Sequence, residues 1–143
     1  MVQPNFCSAD NETIVENNGL LKVKGNRIVN QYGNPISLAG NSLFWSNDGW
    51  GGERYYSSRV VSWLKIDWNT SIIRAAMGVE DPGGYLSNRA TNQERVKIIV
   101  ESAIDLGIYV IIDWHSHHAE DYTDEAIIFF QEMATTYGHS KNV

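Results

Sequence analysis

The feature that most constrains the fold is an alternation, between residues 36 and 137, of short apolar runs with longer amphipathic stretches. The short runs have the length and the β-branched composition of buried strands, and the longer stretches repeat apolar residues at helical spacing. In chain order, the predicted strands are 36–44, 71–77 and 108–113, and the predicted helices are 54–67, 93–106 and 124–137. Repeated strand–helix units are typical of right-handed crossovers and a parallel sheet.

The predicted strands are apolar on both faces, which favours an α/β fold with helices on one face of the sheet. We expect a TIM (β/α)8 barrel. Because a complete barrel takes about 250 residues, the 143 residues are predicted to supply the first three βα units and to stop before strand four. Residues 1–18 are interpreted as a polar leader, and 19–143 as the amino-terminal part of a single barrel domain.

Two turns are predicted ahead of the alternating region. Gly25-Asn26 separates residues 20–24 from residues 27–30, and this pattern predicts a small hairpin. The Tyr-Gly-Asn-Pro sequence at 32–35 predicts a second turn.

Charge and composition exclude several kinds of partner. The net charge is −6 and only 11 residues are Lys or Arg, so we expect no binding to nucleic acid or to an anionic membrane surface. No apolar run is long enough to span a membrane, and the first residues do not form a signal peptide. The five tryptophans and seven tyrosines exceed what one small core requires, and flat aromatic rings suit the apolar faces of pyranose sugars. Cys7 is the only cysteine, so no disulfide can form within the chain.

Polar and aromatic residues collect where each predicted strand ends, which is the end at which β/α barrels carry their functional residues. The candidates are Asn41, Trp45 and Trp50 after the first strand, Arg74, Glu80, Asp81 and Tyr85 on and after the second, and Asp113, His115, His117 and His118 at the third. Arg74 lies inside an apolar strand. A buried guanidinium must be paired, because leaving it unpaired costs several kcal/mol.

Four segments together resemble glycoside hydrolase family 5, and within it the bacterial-type endoglucanase (cellulase) branch. They are residues 40–47 (GNSLFWSN), 73–77 (IRAAM), 83–85 (GGY) and 111–117 (IIDWHSH). The likeness runs in order from about residue 19 to the end of the chain, with gaps of the family's size.

The resemblance implies roles for three of the candidates. Arg74 matches an arginine that lies beneath the catalytic nucleophile and stabilises its charged form through paired donors. His115 matches a histidine that faces the sugar at the scissile bond, and Trp45 matches an aromatic residue that stacks against substrate.

Three further residues complete the predicted substrate-binding set: Asn41, Trp50 and Tyr85. Trp50 has two interpretations, a sugar platform in an exposed loop or an anchor for that loop. Asn41 and Gly78 depart from the pattern, since related cellulases can carry His and Tyr at those positions.

The activity implied by the resemblance is retaining hydrolysis of cellulose-like β-1,4-glucan by a secreted endoglucanase that needs no cofactor. The family's acid/base lies in an Asn-Glu-Pro motif and its nucleophile is a second glutamate, and neither motif occurs in the sequence. Retaining chemistry requires two carboxylates about 5 Å apart. We therefore expect both catalytic glutamates to lie outside this chain, and the 143 residues to be inactive alone.

Alternative functions remain open from the sequence. A β-mannanase or mixed-linkage glucanase would share the same barrel. The chain could also be a non-catalytic piece that binds sugar or pairs with a second chain completing the barrel. A third alternative is a metal-dependent hydrolase barrel, because His115 and His117 alternate along a strand and imidazole binds Zn²⁺.

Structural roles are the remaining alternatives. Arg74 could form an ion pair with a helix carboxylate, and His115 could be a core histidine. Core packing is favoured for Trp63 and Trp68, and the loop carboxylates Glu80, Asp81, Glu120 and Asp121 are expected to be solvated. Because an open parallel sheet exposes its edges and apolar faces, the isolated chain is expected to fold poorly.

Overall fold

The computed structural model describes residues 12–143, so Cys7 and most of the predicted leader lie outside it. Its elements, in chain order, are α1 (Ile14–Asn18), β1 (Lys22–Lys24), β2 (Arg27–Val29), β3 (Gly40–Ser42), a 3-10 helix (Glu53–Tyr55), α2 (Ser58–Asp67), β4 (Ile72–Gly78), α3 (Arg89–Asp105), β5 (Tyr109–His115), a 3-10 helix (Ala119–Tyr122) and α4 (Thr123–Tyr137). Within these described residues, no helix is both long and apolar enough to cross a membrane.

β3, β4 and β5 form one parallel sheet in that order. The register places Arg74 of β4 beside Ser42 of β3 and Ile111 of β5. The predicted alternation of parallel strands with helices is confirmed, because α2 connects β3 to β4 and α3 connects β4 to β5. The predicted hairpin is confirmed as well, since β1 and β2 pair antiparallel around Gly25 and Asn26.

The core lies between the helices and one face of the sheet. It contains Ile73, Ala75 and Met77 of β4 together with Val96, Ile99 and Val100 of α3, all 0% exposed. Successive strand residues point to opposite faces, so Arg74 and Ile111 share the other face. Ile111 is 47% exposed, and this second face is the one that would line the interior of a closed barrel.

The polar stretch ahead of the hairpin contains a helix that the sequence analysis did not predict. Thr13 caps α1, because its side chain accepts from Glu16 N–H while the Glu16 carboxylate accepts from Thr13 N–H. The N–H of Val15 donates to Gly107 O at 3.2 Å. Gly107 has a φ of +64°, and a Cβ there would lie 2.3 Å from Thr13 Cβ, so only glycine permits this contact. The capping pair is a recognisable signal in the sequence.

The first strand is shorter than predicted, since β3 covers Gly40–Ser42 instead of 36–44. At its carboxyl end the strand is cut short by a bulge. Leu43 N–H donates to Arg74 O, and Ser46 N–H donates to Ala76 O. Between these two hydrogen bonds the chain advances three residues after β3 but only two residues along β4, so one extra residue is inserted. The extra residue turns the segment between Leu43 and Ser46 out of the ladder and toward the strand ends.

The predicted core positions of two tryptophans are wrong. Trp63 is 52% exposed and Trp68 is 62% exposed. Their rings contact each other edge to face at 6.1 Å on the outer side of α2. The buried positions of α2 are Val61 and Leu64 instead.

Candidate active site

Three polar side chains share the face of the sheet that is turned away from the helices. In the register, Arg74 aligns with Ile111, Ala76 with Asp113, and Gly78 with His115. Alternate positions of a strand share a face, so Arg74, Asp113 and His115 lie on the same side. β5 runs two residues further than predicted and ends at His115, which fixes the direction of that side chain.

The guanidinium of Arg74 lies at the centre of this group. Its Nη2 is 2.6 Å from Asp113 Oδ2 and 2.7 Å from His115 Nδ1, and its Nη1 donates to Ser42 Oγ at 2.9 Å. The side chains of Arg74 and Asp113 are 33% and 23% exposed. The alternative of an ion pair with a helix carboxylate is wrong, because the paired carboxylate comes from the neighbouring strand.

The contacts of His115 define which of its nitrogens carries the proton in the neutral ring. A guanidinium has donors only, so Nη2 of Arg74 requires a lone pair on Nδ1 at 2.7 Å. Asp113 Oδ2 lies further from the same nitrogen, at 3.0 Å. The neutral ring is therefore the Nε2–H tautomer. The Nε2–H group remains as a donor.

An aromatic cluster lies beside His115. Trp45 contacts His115 edge to face at 4.4 Å and His117 at 5.3 Å, measured between ring centroids. Trp50 stacks on Trp45 at 5.3 Å with an interplanar angle of 13°. Trp50 is 41% exposed, so the pair presents an aromatic surface next to the polar group.

Tyr56, which sequence reasoning did not single out, supports the bulge that carries Trp45. Its hydroxyl lies 2.7 Å from Ala76 O and 2.9 Å from Phe44 O, so its single O–H is within donating distance of both carbonyls on either side of the bulge. Burial, reinforced by the negative charge of Asp113, raises the pKa of Tyr56. The tyrosine is therefore a hydrogen-bond donor under all ordinary conditions.

Glu80 holds the loop that follows β5. Its Oε1 accepts from the N–H of His117 at 2.9 Å. Burial disfavours the charged form, but hydrogen bonds from Ser116 and from the backbone outweigh it, so the pKa of Glu80 lies below its ordinary value. The expectation that this carboxylate is simply solvated is wrong, because it is bound to the histidine loop.

The side chain of Asn47 lies directly against Gly78. A Cβ at Gly78 would lie 1.7 Å from Asn47 Oδ1, so any larger residue would displace Asn47. Asn47 is 0% exposed, and its amide donates to Asp81 O and Pro82 O at 3.3 and 3.2 Å. The space that a side chain at this position would need is filled by Asn47.

The structure contradicts the placement of Tyr85 in the cleft. Tyr85 is 2% exposed, and its ring packs against Trp114 and Phe129 at 5.0 and 5.6 Å. The loop turns back at this point, since Tyr85 N–H donates to Gly78 O at 2.8 Å. Tyr85 is a core residue with no surface to offer a sugar.

The structure also contradicts the placement of Asn41. Asn41 aligns with Ile73 and therefore lies on the opposite side of the sheet from Arg74. Its Oδ1 accepts from the hydroxyl of Thr70, ahead of β4. Five register positions separate it from His115, which corresponds to about 16 Å along a strand.

Asp113 is the site residue to which the sequence analysis gave no role. The signal was present, because Ile111, Asp113 and His115 alternate along one strand and so share a face. Its Oδ2 accepts no hydrogen bond of good geometry from the described residues, although Arg74 Nη2 is 2.6 Å away. The contact is therefore an ion pair that leaves acceptor capacity free.

The metal alternative gains no support from the described residues. Between residues 12 and 143, no group of three or more His, Cys, Asp or Glu side chains is arranged to hold an ion. The rings of His115 and His117 lie 6.1 Å apart.

A parallel sheet covered by helices on one face, with polar and aromatic side chains at the carboxyl ends of its strands, is typical of β/α barrels. A family model described as cellulase, glycosyl hydrolase family 5, matches residues 29–143. The chain belongs to glycosyl hydrolase family 5, and the predicted membership is confirmed.

Curated relatives and solved structures carry the same likeness. The chain is 54% identical over 123 residues to Endoglucanase Z of Dickeya dadantii, a match that covers 86% of the chain and 29% of the relative. It is 42% identical over 142 residues to Endoglucanase A of Evansella cellulosilytica, covering 97% of the chain and 28% of that relative. The chain thus spans less than a third of these relatives.

Among solved structures, a protein of Cytophaga hutchinsonii aligns with a TM-score of 0.86 and 52% identity, over 92% of this chain and 42% of that one. The catalytic domain of a Thermobifida fusca endoglucanase aligns with a TM-score of 0.84 and 30% identity, over 92% and 43%. These family 5 neighbours are TIM barrels, and the chain corresponds to part of such a barrel.

Proposed function

We propose that the protein containing this chain is an endo-β-1,4-glucanase that hydrolyses cellulose-like glucan with retention of configuration. The observation that carries the proposal is the ion-paired Arg74 and Asp113 beside His115, next to the Trp45 ring. Family membership and the endoglucanase names of the relatives support it. A variant of the Thermobifida fusca domain has been solved in complex with cellotetraose.

The proposed role of Arg74 is to hold a catalytic carboxylate in its charged form. A guanidinium has five N–H donors, and the contacts to Ser42, Asp113 and His115 occupy at most three of them. Nε–H and one Nη1–H therefore remain for an additional carboxylate. Paired, charge-assisted donors favour the ionised form of such a group, as a nucleophile requires.

The proposed roles of His115 and the tryptophans concern the sugar. With Nδ1 engaged by Arg74, the Nε2–H of His115 is left to donate to a sugar hydroxyl. Trp45 and Trp50 supply flat apolar surface for the pyranose ring. In the reaction, one glutamate would attack the anomeric carbon while a second protonates the leaving oxygen and then activates water. We propose that both glutamates come from outside residues 1–143.

The proposal extends to the architecture and the location of the protein. Residues 19–143 would supply the hairpin and the first three βα units of a single (β/α)8 domain. The remaining strands would come from a further segment or a second chain. We also propose that the protein acts outside the cell, because polymeric glucan is available there.

The test uses the full-length protein on carboxymethylcellulose, mannan and mixed-linkage β-glucan. The expected result is the highest rate on carboxymethylcellulose, with the β-anomer of the product formed first in NMR spectra. His115→Ala should reduce that rate by about tenfold or more, while His139→Ala, at an exposed histidine beyond α4, should not. Higher rates on mannan, or inversion of configuration, would overturn the assignment.

A further inference from the structure

Arg95 of α3 binds the turn that joins Trp45 to Trp50. Arg95 Nη1 donates to Ser46 O at 2.8 Å, and its Nη2 is 2.5 Å from Asp48 Oδ1. Ser46 directly follows Trp45 in the chain, and Asp48 lies two residues before Trp50. One guanidinium therefore binds two of the four residues that separate the stacked rings.

Asp48 is fixed on its other sides as well. Its Oδ2 accepts from Asn88 Nδ2 at 2.7 Å, and its backbone N–H donates to Gly83 O at 3.0 Å. Trp50 N–H then donates to Asn47 O at 3.3 Å, which closes the turn. With both carboxylate oxygens and the backbone engaged, Asp48 leaves the following residues little freedom.

The contacts of Arg95 are partly shielded from solvent. The side chains of Arg95 and Asp48 are 17% and 38% exposed, and Ser46 and Asn47 are 0% exposed. Ser46 Oγ also donates to Asn92 Oδ1 at 2.6 Å, so α3 contributes a second tie to the same turn. The hydrogen bond from Arg95 holds the pKa of Asp48 below its ordinary value. The ion pair is therefore charged over the whole neutral range.

We propose that Arg95 and Asp48 are positioning residues that set the stacked geometry of Trp45 and Trp50, and through it the affinity of the cleft for sugar. Neither acts on the substrate directly. Arg95 contacts the backbone and the carboxylate of the turn, and its effect reaches the sugar only through the rings. The effect on affinity rests on the proposed function, whereas the effect on ring geometry does not.

The test compares variants of the full-length protein by circular dichroism and by kinetics. Stacked indoles give an exciton couplet in the far-ultraviolet circular dichroism spectrum. The part of this signal that comes from Trp45 and Trp50 is the difference between the spectra of wild type and Trp50→Phe. Arg95→Ala should lose the same part of the signal. It should also raise KM by up to about fivefold while kcat changes by less than about twofold, because only binding surface is disturbed.

Lys97→Ala is the matched control. Lys97 lies on the same helix and pairs with Glu132 of α4 at 2.7 Å, away from the tryptophans. It should leave the couplet and KM unchanged. Arg95→Lys keeps the charge but cannot hold carbonyl and carboxylate together, so it should fall between Arg95→Ala and wild type.

The outcomes separate the two hypotheses. An Arg95→Ala protein that keeps both the couplet and its KM overturns the positioning role. If wild type hydrolyses no β-glucan, the proposed function fails, but the couplet still decides whether Arg95 sets the ring geometry. Where Arg95→Ala does not fold, Asp48→Asn is read in the same way, because it keeps the shape of the side chain and removes the charge.

Discussion

Nη2 of Arg74 lies 2.7 Å from Nδ1 of His115, although their Cα positions are four residues apart in the register. The long arginine side chain runs along the strand direction toward the carboxyl end and reaches the histidine there. This contact orients the ring and directs Nε2–H away from the arginine. The two residues therefore form one unit, and a change at Arg74 is expected to act on His115 as well.

Replacement of Arg74 by lysine tests that unit. Lysine keeps the positive charge but lacks the planar fork, so it cannot contact Asp113, Ser42 and His115 together. Hydrogen bonds to charged groups contribute about 1.5–3 kcal/mol, so kcat/KM on carboxymethylcellulose should fall about 10- to 100-fold. Arg59→Lys, at an exposed position of α2, is the control. A loss no larger than that of the control would remove the special role of Arg74.

Trp50→Ala should weaken binding more than it slows the chemical step. The ring stacks on Trp45 and is 41% exposed, so it offers surface without touching the reacting atoms. Loss of one aromatic contact of about 1 kcal/mol corresponds to about a fivefold rise in KM. Trp63→Ala removes a tryptophan that is 52% exposed on the outer side of α2 and should leave KM unchanged. If Trp50→Ala and Trp63→Ala changed KM equally, Trp50 would serve only to anchor its loop and would not bind sugar.

Substitutions at Tyr85 distinguish a core residue from a sugar-binding residue. Its hydroxyl has no hydrogen-bond partner among the described residues, so Tyr85→Phe should leave KM unchanged and the melting temperature equal or higher. Tyr85→Ala should lower the free energy of unfolding by about 3–5 kcal/mol, because it empties space beside Trp114 and Phe129. A rise in KM for a fully folded Tyr85→Phe protein would show that the Tyr85 hydroxyl takes part in sugar binding.

The sequence predicts correctly those site residues whose positions follow from the regular geometry of strands. Arg74 and His115 meet because strand side chains alternate with a period of two and parallel strands end at one edge. The same reasoning places Asp113, a candidate without a role in the sequence, on the face of Arg74 and His115. Asn41 was misplaced because it belongs to the opposite face of a short β3 that ends at a bulge, which a run of apolar residues does not reveal.

Loop directions could not be predicted. Tyr85 follows two glycines, and nothing in that pattern says whether the chain turns toward the cleft or back into the core. The deciding contacts are long-range, such as the hydrogen bond from Tyr85 N–H to Gly78 O. The tie from Arg95 to Asp48 is of the same kind, because it joins residues 47 positions apart.

Acid should weaken the turn that carries the tryptophans. Arg95 lowers the pKa of Asp48 in the folded protein, so the unfolded chain binds that proton more tightly. The stabilisation from Asp48 is therefore present above its ordinary pKa of about 3.9 and is lost as the pH falls through the lower folded-state value. In Asp48→Asn the melting temperature should be lower at neutral pH and should fall less on acidification. Glu94→Gln, at an exposed carboxylate of α3, should keep the wild-type dependence. If the melting temperature of Asp48→Asn fell with pH as steeply as that of wild type, Asp48 would not be the origin of the acid sensitivity.

The 143 residues in isolation should behave as an incompletely packed protein. Apolar side chains stay exposed on β5 and α4, with Ile111 at 47%, Ile127 at 48% and Phe130 at 42%. The carboxyl-terminal residues only begin to cover the edge of β5, where Asn142 O accepts from Val110 N–H at 2.8 Å. Exposed apolar faces and an open strand edge favour association and reduce the cooperativity of unfolding.

For the isolated 143 residues we expect a broad thermal transition, strong binding of a hydrophobic dye, and a shift toward larger species as the protein concentration rises. Ile111→Thr should lower the dye signal, whereas Ile66→Thr, at an equally apolar but outer position of α2 that is 74% exposed, should change it less. A sharp, concentration-independent transition with little dye bound would mean that the three-stranded sheet is sufficient for a stable fold.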